Sequence, residues 1–535
     1  MPSTSLASVR ASFERMRARP WGRAGLLAAP VVAMVALFTV TGFRGVDFGF
    51  HWDETDWQIK PVREMVASGI LLPRAAIYPT FGKWLTFLPA LPAGAKAALA
   101  KGADPRKVQA AMTAAIDEPT YLLKVRRLYV LVSAFAIVWI YAAVLALRRP
   151  PWEALVAAAG LGLSWEYAYH ARWVATDCLA VQFASLLLFA LAMFRRTGRR
   201  AWLYAAAAAA GLAAGSKYPA VVLVVPVMLA GALALPARDV RAQITRLAAV
   251  GGISFAVYLF TTPATVLDPF AFIEKLREIS HNYSSGHGKY SSANTLDHLR
   301  LVFTYLSVTY FSPYRVVAVV MAAATIAGGV VWARSDRRFA AVLIGFPLAF
   351  IAFFCSKYVT CIVRNYLLVV PFLTVLAARG VAEAAARLPN LWARRALAGG
   401  LAAVALAHAV WLVSAGESIR HRDPNQQVRQ AVAYVKEHAG TRFRVSPKVR
   451  ENAAQQNLAL PANVTDGADA QEIVFFARDE GPGEADWKPN DPWLTRAVFG
   501  PREVNFNWYS SWMGYDRVVA MTMAKAKQTE LPLAR

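Results

Sequence analysis

Long runs of apolar residues, separated by short charged segments, recur along most of this chain. Each run is about 15–20 residues long, which is the length that an α-helix needs to cross the hydrocarbon of a membrane. Run length and flanking charge together predict about eleven membrane-spanning helices. The predicted spans are residues 25–43, 127–147, 152–169, 177–194, 201–215, 218–236, 247–262, 314–333, 339–355, 364–379 and 397–414. The pattern therefore predicts an all-α polytopic membrane protein.

Arginines cluster in alternate connections between the predicted spans, and they set the predicted orientation. Loops that carry an excess of Lys and Arg stay on the cytoplasmic side of a membrane. The clusters are Arg148 and Arg149; Arg195, Arg196, Arg199 and Arg200; Arg238, Arg241 and Arg246; Arg334, Arg337 and Arg338; and Arg379, Arg387, Arg394 and Arg395. We expect residues 1–24 to be a basic cytoplasmic N-terminus. We also expect the first span to be retained, since no small-residue cleavage site of a signal peptide follows it.

The composition agrees with this interpretation. The chain has 535 residues, of which 57% are hydrophobic and 17% charged, and its formal net charge is +24. A strongly basic protein can bind nucleic acid, but most of these basic residues lie in the short topological clusters, which argues against that class. The three cysteines, Cys178, Cys355 and Cys361, are too few for a disulfide framework. Cys355 and Cys361 could pair across one loop, and free buried thiols are the alternative.

Three larger segments fall on the side opposite the arginine clusters. Residues 44–126 form a first outer loop, in which short amphipathic helices would lie in the membrane interface. Residues 263–313 form a second outer loop. Hydrophobic density drops after residue 415, and strand-like runs recur there at residues 443–445, 473–476 and 518–521. These runs, with a helix near residues 426–438, predict a small soluble α/β domain over residues 416–535.

The acidic pair Asp53-Glu54 comes shortly after the first predicted span. A carboxylate at this depth is unfavourable unless it faces water, a cation or a substrate. Both residues could cap a helix or begin a solvated interfacial helix, since acidic residues are common at helix N-termini. The functional alternative is a general base that takes a proton from a hydroxyl nucleophile. Asp53 and Glu54 are therefore the candidate catalytic residues.

Several basic residues run against the topological trend, because they lie on the outer side. They are Arg63, Arg74, Lys83, Lys124, Arg126, Arg127 and, between the fifth and sixth spans, Lys217. Such side chains can reach lipid headgroups while their aliphatic stems stay in the membrane. Alternatively, they form a pocket for an anion and stabilise the negative charge that develops on a leaving group.

Two outer connections carry further polar candidates. Arg172 and Asp177 lie at the turn between the third and fourth spans. They could form an ion pair with each other, or Asp177 could orient a base or bind a sugar hydroxyl. His287 and Tyr290 lie in a segment that we expect to be a mobile loop from which polar side chains extend. The His and Glu side chains near this loop lack the tight spacing of a metal site.

The order of these motifs resembles the type C glycosyltransferases. The branch most similar holds the lipid A aminoarabinose transferases, the protein O-mannosyltransferases and the core-sugar transferases of rhizobial lipopolysaccharide. The matching motifs are Asp53-Glu54, Arg63-Glu64-Met65-Val66-Ala67-Ser68-Gly69, Pro73-Arg74, Phe81-Gly82-Lys83, the turn from Ala171-Arg172 to Thr176-Asp177, Gly215-Ser216-Lys217 and Arg364-Asn365-Tyr366-Leu367. Asp56 stands where the aminoarabinose transferases have an arginine, and Trp84 follows the lysine where the family has proline. These departures argue against the aminoarabinose specificity.

The resemblance implies a fold and an activity. Residues 25–415 would be a transmembrane catalytic domain that moves a monosaccharide from a polyprenyl-phosphate donor to a hydroxyl of a lipid, glycan or protein, with inversion. Asp53 would be the base; Arg74, Lys83, Arg127 and Lys217 would bind the donor phosphate; and Arg172, Asp177, His287, Tyr290 and Arg364 would bind or orient substrate. No cofactor would be required, because the leaving group is a monophosphate, and a divalent metal stays open.

The sequence also bears on the location of the protein and on alternative functional classes. The Arg- and Ala-rich composition, with no eukaryotic targeting signal, favours a bacterial inner membrane, with the active site facing the periplasm. A lipid or sugar transporter or flippase is the main alternative, but that class is expected to show repeats or broken helices with charges near mid-membrane. A non-catalytic scaffold that holds anionic lipids would not need an acidic pair beside a lysine-rich loop.

Overall fold

The computed structural model describes residues 20–48, 52–70, 72, 78–100, 104–234, 240–286, 291–420, 424–481, 497–498, 518–531 and 533. These residues fall into two compact units. The first unit lies within residues 1–43 and 52–412, and the second within residues 44–51 and 413–535. The first unit is built from helices, and the second contains a β-sheet.

Helices dominate the described chain. In chain order they are α1 (Pro20–Arg44), α2 (Trp52–Glu54), α3 (Lys60–Ser68), α4 (Thr80–Phe87), α5 (Leu91–Ala98), α6 (Pro105–Asp117), α7 (Tyr121–Ala146), α8 (Pro151–Gly162), α9 (Trp165–Ala171), α10 (Thr176–Thr197), α11 (Arg200–Ser216), α12 (Val224–Leu233), α13 (Val240–Thr261), α14 (Ala264–Leu267), α15 (Pro269–Ser285), α16 (Thr295–Thr304), α17 (Arg315–Ser335), α18 (Arg337–Lys357), α19 (Val370–Arg387), α20 (Leu391–Arg420), α21 (Pro424–Glu437), α22 (Pro447–Gln455), α23 (Ala477–Glu480) and α24 (Met523–Gln528). Wider π-helical turns cover Thr55–Ile59 and Tyr305–Phe311, and tighter 3₁₀ turns cover Leu88–Ala90, Tyr218–Leu223 and Val363–Val369.

Among the described residues, seven helices are long and apolar enough to cross a membrane. They are Tyr121–Ala146, Thr176–Thr197, Val240–Thr261, Arg315–Ser335, Arg337–Lys357, Val363–Arg387 and Leu391–Glu417. Two shorter apolar helices, Ala28–Arg44 and Tyr218–Leu233, coincide with the predicted first and sixth spans. The prediction of an all-α polytopic membrane protein is confirmed, and the count of about eleven spans stays a prediction.

The predicted third span, residues 152–169, is not one helix. It is divided at Leu163 and Ser164 into α8 and α9. The Ser164 hydroxyl donates a hydrogen bond of 2.9 Å to the carbonyl of Tyr310, and the Tyr310 hydroxyl donates one of 2.7 Å to the carbonyl of Gly160. The second bond satisfies a carbonyl that the end of α8 leaves without a helical partner. The hydrophobic pattern could not reveal the break, because the residues around it are mostly apolar.

α10 is the most enclosed of the apolar helices. In its apolar window 83% of the residues are buried, against 17% for α13. α10 packs against α7 and α11, and α17 packs against α19. At the α17–α19 contact, a Cβ at Gly328 or Gly380 would meet a main-chain carbonyl of the opposite helix. Small residues of this kind let membrane helices approach closely.

The cysteines form no disulfide. Cys178, Cys355 and Cys361 are all buried and free. The sulfur of Cys355 lies 3.6 Å from the hydroxyl of Tyr366. Of the two alternatives left by the sequence, free buried thiols are therefore confirmed, and the Cys355–Cys361 disulfide is wrong.

A layer of short helices follows α2 in the chain. α3 ends at Gly69, whose φ of 69° is in the left-handed region that glycine adopts without strain. α6 begins after Asp104, whose carboxylate accepts a hydrogen bond of 2.9 Å from the Arg106 N–H, as the Asp-Pro sequence predicts. Apolar side chains of this layer and of α7 share one core: Val62, Val66, Leu85, Ile116, Tyr121, Val125 and Tyr129. That core attaches the layer to the spanning helix α7.

The second unit contains a four-stranded sheet. Its strands are β1 (Phe443–Val445), β2 (Glu472–Phe476), β3 (Ala497–Val498) and β4 (Val518–Thr522), in the order β1-β2-β4-β3 across the sheet. β1 pairs parallel to β2, and β4 pairs antiparallel to both β2 and β3. Because successive strand residues face opposite sides, Val474 and Phe476 pack with α21 and α22, and Ile473 and Phe475 pack with α24. The predicted strand-like runs are β1, β2 and β4.

Candidate active site

Asp53 and Arg364 form a buried ion pair within the first unit. Asp53 lies in α2, and Arg364 lies in the 3₁₀ turn that precedes α19, 311 positions later in the chain. The NH2 nitrogen of Arg364 lies 2.9 Å from Asp53 Oδ2, and the two side chains are 9% and 4% exposed. The guanidinium also lies over the ring of Trp173, 5.1 Å from its centroid. The acidic residue that the sequence selects therefore faces a cation.

A second acid and a second cation extend this pair. Asp177 lies in the first turn of α10, and Lys217 directly follows α11. Lys217 Nζ forms an ion pair with Asp177 Oδ1 and donates a hydrogen bond of 2.6 Å to Asn365 Oδ1. Asp177 Oδ2 also lies 3.8 Å from Arg364 Nε. We call the four connected side chains, Asp53, Arg364, Asp177 and Lys217, the charge cluster.

The charge cluster balances its own charge. Two carboxylates face two cations, so no member of the cluster needs a distant counter-ion. Asp177 also gains from its place at a helix N-terminus, where the helix dipole favours negative charge. Charged groups buried at membrane depth are expensive unless they are paired in this way. The cluster thus holds a carboxylate that can accept a proton beside cations that can hold an anion.

The protonation of Asp53 suits a general base. Burial raises the pKa of the Asp53 carboxyl, and the charge of Asp177 raises it further, whereas the guanidinium of Arg364 lowers it; the net direction is upward. A carboxylate with a raised pKa holds a proton more tightly and is therefore a stronger base.

Glu54 makes a separate buried ion pair beside the charge cluster. Its oxygens accept hydrogen bonds of 2.9 Å from Nε and 2.5 Å from NH2 of Arg126. Glu54 Oε1 also accepts a hydrogen bond of 2.9 Å from the backbone N–H of Val174. The Glu54 and Arg126 side chains are 0% and 1% exposed. This bidentate pair joins α2 to α7 and to the turn before α10, so it fixes the helical turn on which Asp53 lies.

Lys83 contacts the main chain of Tyr78, whose phenol interacts electrostatically with members of the charge cluster. Lys83 Nζ donates a hydrogen bond of 2.8 Å to the carbonyl of Tyr78, and Lys83 is 1% exposed. Burial lowers the pKa of Lys83 to about 7. Burial raises the pKa of the Tyr78 phenol, and the charges of Asp53 and Arg364 also act on it. Near neutral pH, therefore, Lys83 can exist in both its charged and its neutral form.

Asn365 connects the charge cluster to the second outer loop. Its Nδ2 donates a hydrogen bond of 3.0 Å to the hydroxyl of Tyr283 in α15. The carbonyl of Tyr283 accepts a hydrogen bond of 3.0 Å from the N–H of Thr360. Burial raises the pKa of the Tyr283 phenol, so this hydroxyl stays neutral. The loop predicted over residues 263–313 thus reaches the cluster through Tyr283.

Two predicted arginines lie apart from the charge cluster. Arg127 is exposed, whereas its neighbour Arg126 is the buried arginine of the Glu54 pair. Arg172 is fully buried; its NH2 donates a hydrogen bond of 3.2 Å to the carbonyl of Thr41, and its Nε and NH1 have no hydrogen-bond partner among the described residues. Within that part of the chain Arg172 also makes no ion pair with Asp177, so the ion-pair alternative for this turn is wrong.

The remaining candidates fall outside what the structure describes. Arg74, His287 and Tyr290 are not among the described residues. In the described part of the chain, no group of three or more His, Cys, Asp or Glu side chains is arranged to hold a metal ion. The site is therefore built here from the charge cluster, the Glu54–Arg126 pair and Lys83.

Three residues of the site were not selected as site residues from the sequence, although Arg126 was named among the basic residues of the outer side. Arg126 carries the same sequence signal as Arg127, and only the helical face of α7 separates them. Asn365 follows Arg364 inside a matched motif. Tyr283 lies in a loop rich in Ser, His and Tyr, where nothing in the pattern distinguishes it. The first two could have been found by placing the motifs on helical faces.

A family model matches the middle of the chain. Residues 110–263 match the family described as dolichyl-phosphate-mannose-protein mannosyltransferase. The resemblance to the type C glycosyltransferases is confirmed. The matched range contains Arg126, Asp177 and Lys217 and ends before Arg364. No curated protein sequence matches the chain.

The solved structures that are similar to this chain include the following three, all at low sequence identity. ArnT from Cupriavidus metallidurans, bound to undecaprenyl phosphate, is 17% identical, with 92% of this chain and 98% of that chain covered and a TM-score of 0.44. The Archaeoglobus fulgidus oligosaccharyltransferase in complex with Zn and sulfate is 12% identical, with 84% and 68% covered and a TM-score of 0.44. The archaeal oligosaccharyltransferase AglB from Archaeoglobus fulgidus, with an inhibitory peptide and a dolichol-phosphate, is 11% identical, with 83% and 69% covered and a TM-score of 0.41. All three TM-scores are below 0.5.

Proposed function

We propose that this protein is an integral membrane glycosyltransferase that moves a monosaccharide from a polyprenyl-phosphate donor to a hydroxyl of a lipid, glycan or protein. The charge cluster carries the proposal, because a candidate base, Asp53, lies beside a cation, Arg364, that could hold a phosphate. The family match over residues 110–263 supports the same class, since dolichyl phosphate is a polyprenyl phosphate. The reaction would take place at the periplasmic face of a bacterial inner membrane.

The proposed reaction needs one proton acceptor and stabilisation of one anion. The acceptor hydroxyl oxygen attacks the anomeric carbon, and Asp53 takes the hydroxyl proton. The bond between the anomeric carbon and the phosphate oxygen breaks, and its electron pair leaves with the polyprenyl phosphate. Negative charge therefore grows on the phosphate as the reaction proceeds, so cations that face it stabilise the transition state more than the ground state. Attack from the face opposite the phosphate inverts the anomeric configuration.

The contacts give each charged group a different part in this scheme. Arg364 and Lys217 are the cations that would hold the phosphate, with Lys83 as a third cation when it is protonated. Asp177 would hold Lys217 beside the site. Both oxygens of Glu54 are already engaged by Arg126, so we assign Glu54 to positioning the turn that carries Asp53.

The test is sugar transfer by the purified protein in detergent, with a panel of undecaprenyl-phosphate sugars as donors. Asp53→Asn keeps the size of the side chain but cannot take a proton, so transfer should fall by about 10²–10⁴-fold. Asp56→Asn is the matched control, because Asp56 is an exposed carboxylate of the same helical segment, and transfer should persist. Binding of undecaprenyl phosphate should survive in both variants.

Two results would contradict the proposal. If the wild-type protein transferred sugar from no donor in the panel, the transporter or flippase alternative would gain support. If Asp53→Asn left transfer unchanged, the assignment of Asp53 as the base would be overturned, and another group would have to take the proton.

A further inference from the structure

We infer that Asp53 and the donor phosphate compete for Arg364, so that binding of the donor releases the base. This inference rests on the proposed function and adds the order of events at the same site. Without donor, Asp53 is held in an ion pair with Arg364. When donor binds, its phosphate draws Arg364 away, and Asp53 is released at the step in which it must accept a proton.

The first support is the contact that Asp53 makes. Its Oδ2 is engaged by Arg364 NH2 at 2.9 Å, and both side chains are almost fully buried. A carboxylate that is paired with a guanidinium prefers the charged form and is a weaker proton acceptor than the same carboxylate without it. Lengthening or breaking this contact would therefore make Asp53 a stronger base than it is in the ion pair.

The second support is the charge balance of the cluster. Two carboxylates and two cations sum to zero before any substrate arrives. A donor phosphodiester brings one further negative charge into a buried site, where an uncompensated charge is costly. Arg364 cannot neutralise both Asp53 and the phosphate, so the two anions compete for it. Proton transfer from the acceptor to Asp53 then moves negative charge from Asp53 to the leaving phosphate, and the net charge of the site stays the same. The same proton transfer is the chemical step of the proposed reaction.

The third support is the difference between the two cations. Lys217 is fixed from two sides, by the carboxylate of Asp177 and by the side-chain oxygen of Asn365. The second carboxylate near Arg364 is 3.8 Å from its Nε, which is beyond hydrogen-bond distance. Asp53 is therefore the nearer of the two carboxylates to Arg364, and its place in that contact is the one that the incoming phosphate takes, while Lys217 stays in place.

The same competition accounts for release of the product. After transfer, Asp53 carries the proton and attracts Arg364 little, while the carrier has become a phosphate monoester with a greater negative charge. When the proton leaves Asp53, the carboxylate again competes for Arg364. The ion pair re-forms, and the carrier phosphate loses one of its cations.

The experiment measures the affinity of the purified protein for undecaprenyl phosphate, without any sugar transfer. Asp53→Asn removes the competitor but keeps its shape, so the carrier should bind about tenfold more tightly, given the typical strength of hydrogen bonds to charged groups. The exposed Asp56→Asn control removes an equal charge from the same segment and should leave the affinity unchanged. Arg364→Gln should weaken binding, and in that background Asp53→Asn should no longer tighten it.

The outcomes separate this inference from the proposed function. Carrier binding that is equal or weaker in Asp53→Asn would overturn the competition while leaving the transferase proposal intact. Tightening that persists in the Arg364→Gln background would also overturn it, because the effect would then be general repulsion between Asp53 and the phosphate. If the wild-type protein did not bind the carrier at all, the proposed function would fail and the inference with it.

Discussion

Replacing Glu54 by glutamine should destabilise the protein by about 3–5 kcal/mol, the cost of breaking a buried ion pair from one side. Both side chains of the Glu54–Arg126 pair are almost fully buried, and the pair is bidentate. Gln Oε1 can still accept from Arg126 Nε and from the Val174 N–H, but its amide NH2 would face Arg126 NH2, so a donor meets a donor. The arginine then keeps its charge without a counter-ion from this position.

The measurement is unfolding of the purified protein in mixed micelles of detergent and SDS, followed by tryptophan fluorescence. The matched control is Asp117→Asn, which breaks the bidentate Arg63–Asp117 pair in the same part of the fold. That pair is about half exposed, at 50% and 47%, so water replaces the lost contact and the change should be small. The double variant Glu54→Gln/Arg126→Met removes the stranded charge and should recover more than half of the loss.

The reasoning would be refuted by either of two results. A loss in Glu54→Gln no larger than that in Asp117→Asn would mean that burial does not set the strength of these pairs. A double variant as unstable as Glu54→Gln alone would mean that the loss does not come from an unpaired arginine.

Three further predictions test single groups. Arg364→Gln should move the acid limb of the pH profile of kcat/KM for transfer to higher pH, because the guanidinium lowers the pKa of Asp53; an unmoved limb would contradict this. The affinity of the wild-type protein for undecaprenyl phosphate should fall as the pH rises through about 7, where Lys83 loses its proton. Lys83→Arg should abolish this fall, because arginine stays charged. Parallel pH profiles of the two proteins would exclude a contribution from Lys83. Gly380→Ala should cost about 1–3 kcal/mol of stability in the SDS titration, because its Cβ would meet a main-chain carbonyl of α17. Gly399→Ala, with nothing near the added Cβ, should be neutral or slightly stabilising, and equal losses in the two variants would show that packing is not the cause.

The spanning helices could be predicted because their signal is local. A run of apolar residues must be helical in a membrane, where every backbone group has to find its partner within the segment. The prediction that residues 152–169 form one unbroken helix was wrong, because the hydrophobic pattern reports only local signals. The interruption at Leu163 and Ser164 depends on hydrogen bonds to and from Tyr310, a residue far along the chain.

The candidate site could be predicted only in part. Asp53, Lys83, Asp177 and Lys217 were selected because charged residues between apolar runs are expensive and therefore informative. Arg364 was selected only through the family resemblance. Which acid faces which cation was not accessible from the pattern. The sequence left an ion pair between Arg172 and Asp177 as one alternative, but the structure pairs Asp177 with Lys217 and Arg364 instead.

The sequence by itself determined that this is a multi-spanning helical membrane protein, because hydrophobic length and charge alternation act on each segment alone. It also determined which polar residues to suspect. Only the tertiary structure decided that Glu54 is tied to Arg126 while its neighbour Asp53 faces Arg364. Adjacent residues of one helix point in different directions, and their partners come from helices that are distant in the chain. Two carboxylates that look equivalent in sequence thus receive different environments, one suited to positioning and the other to proton transfer.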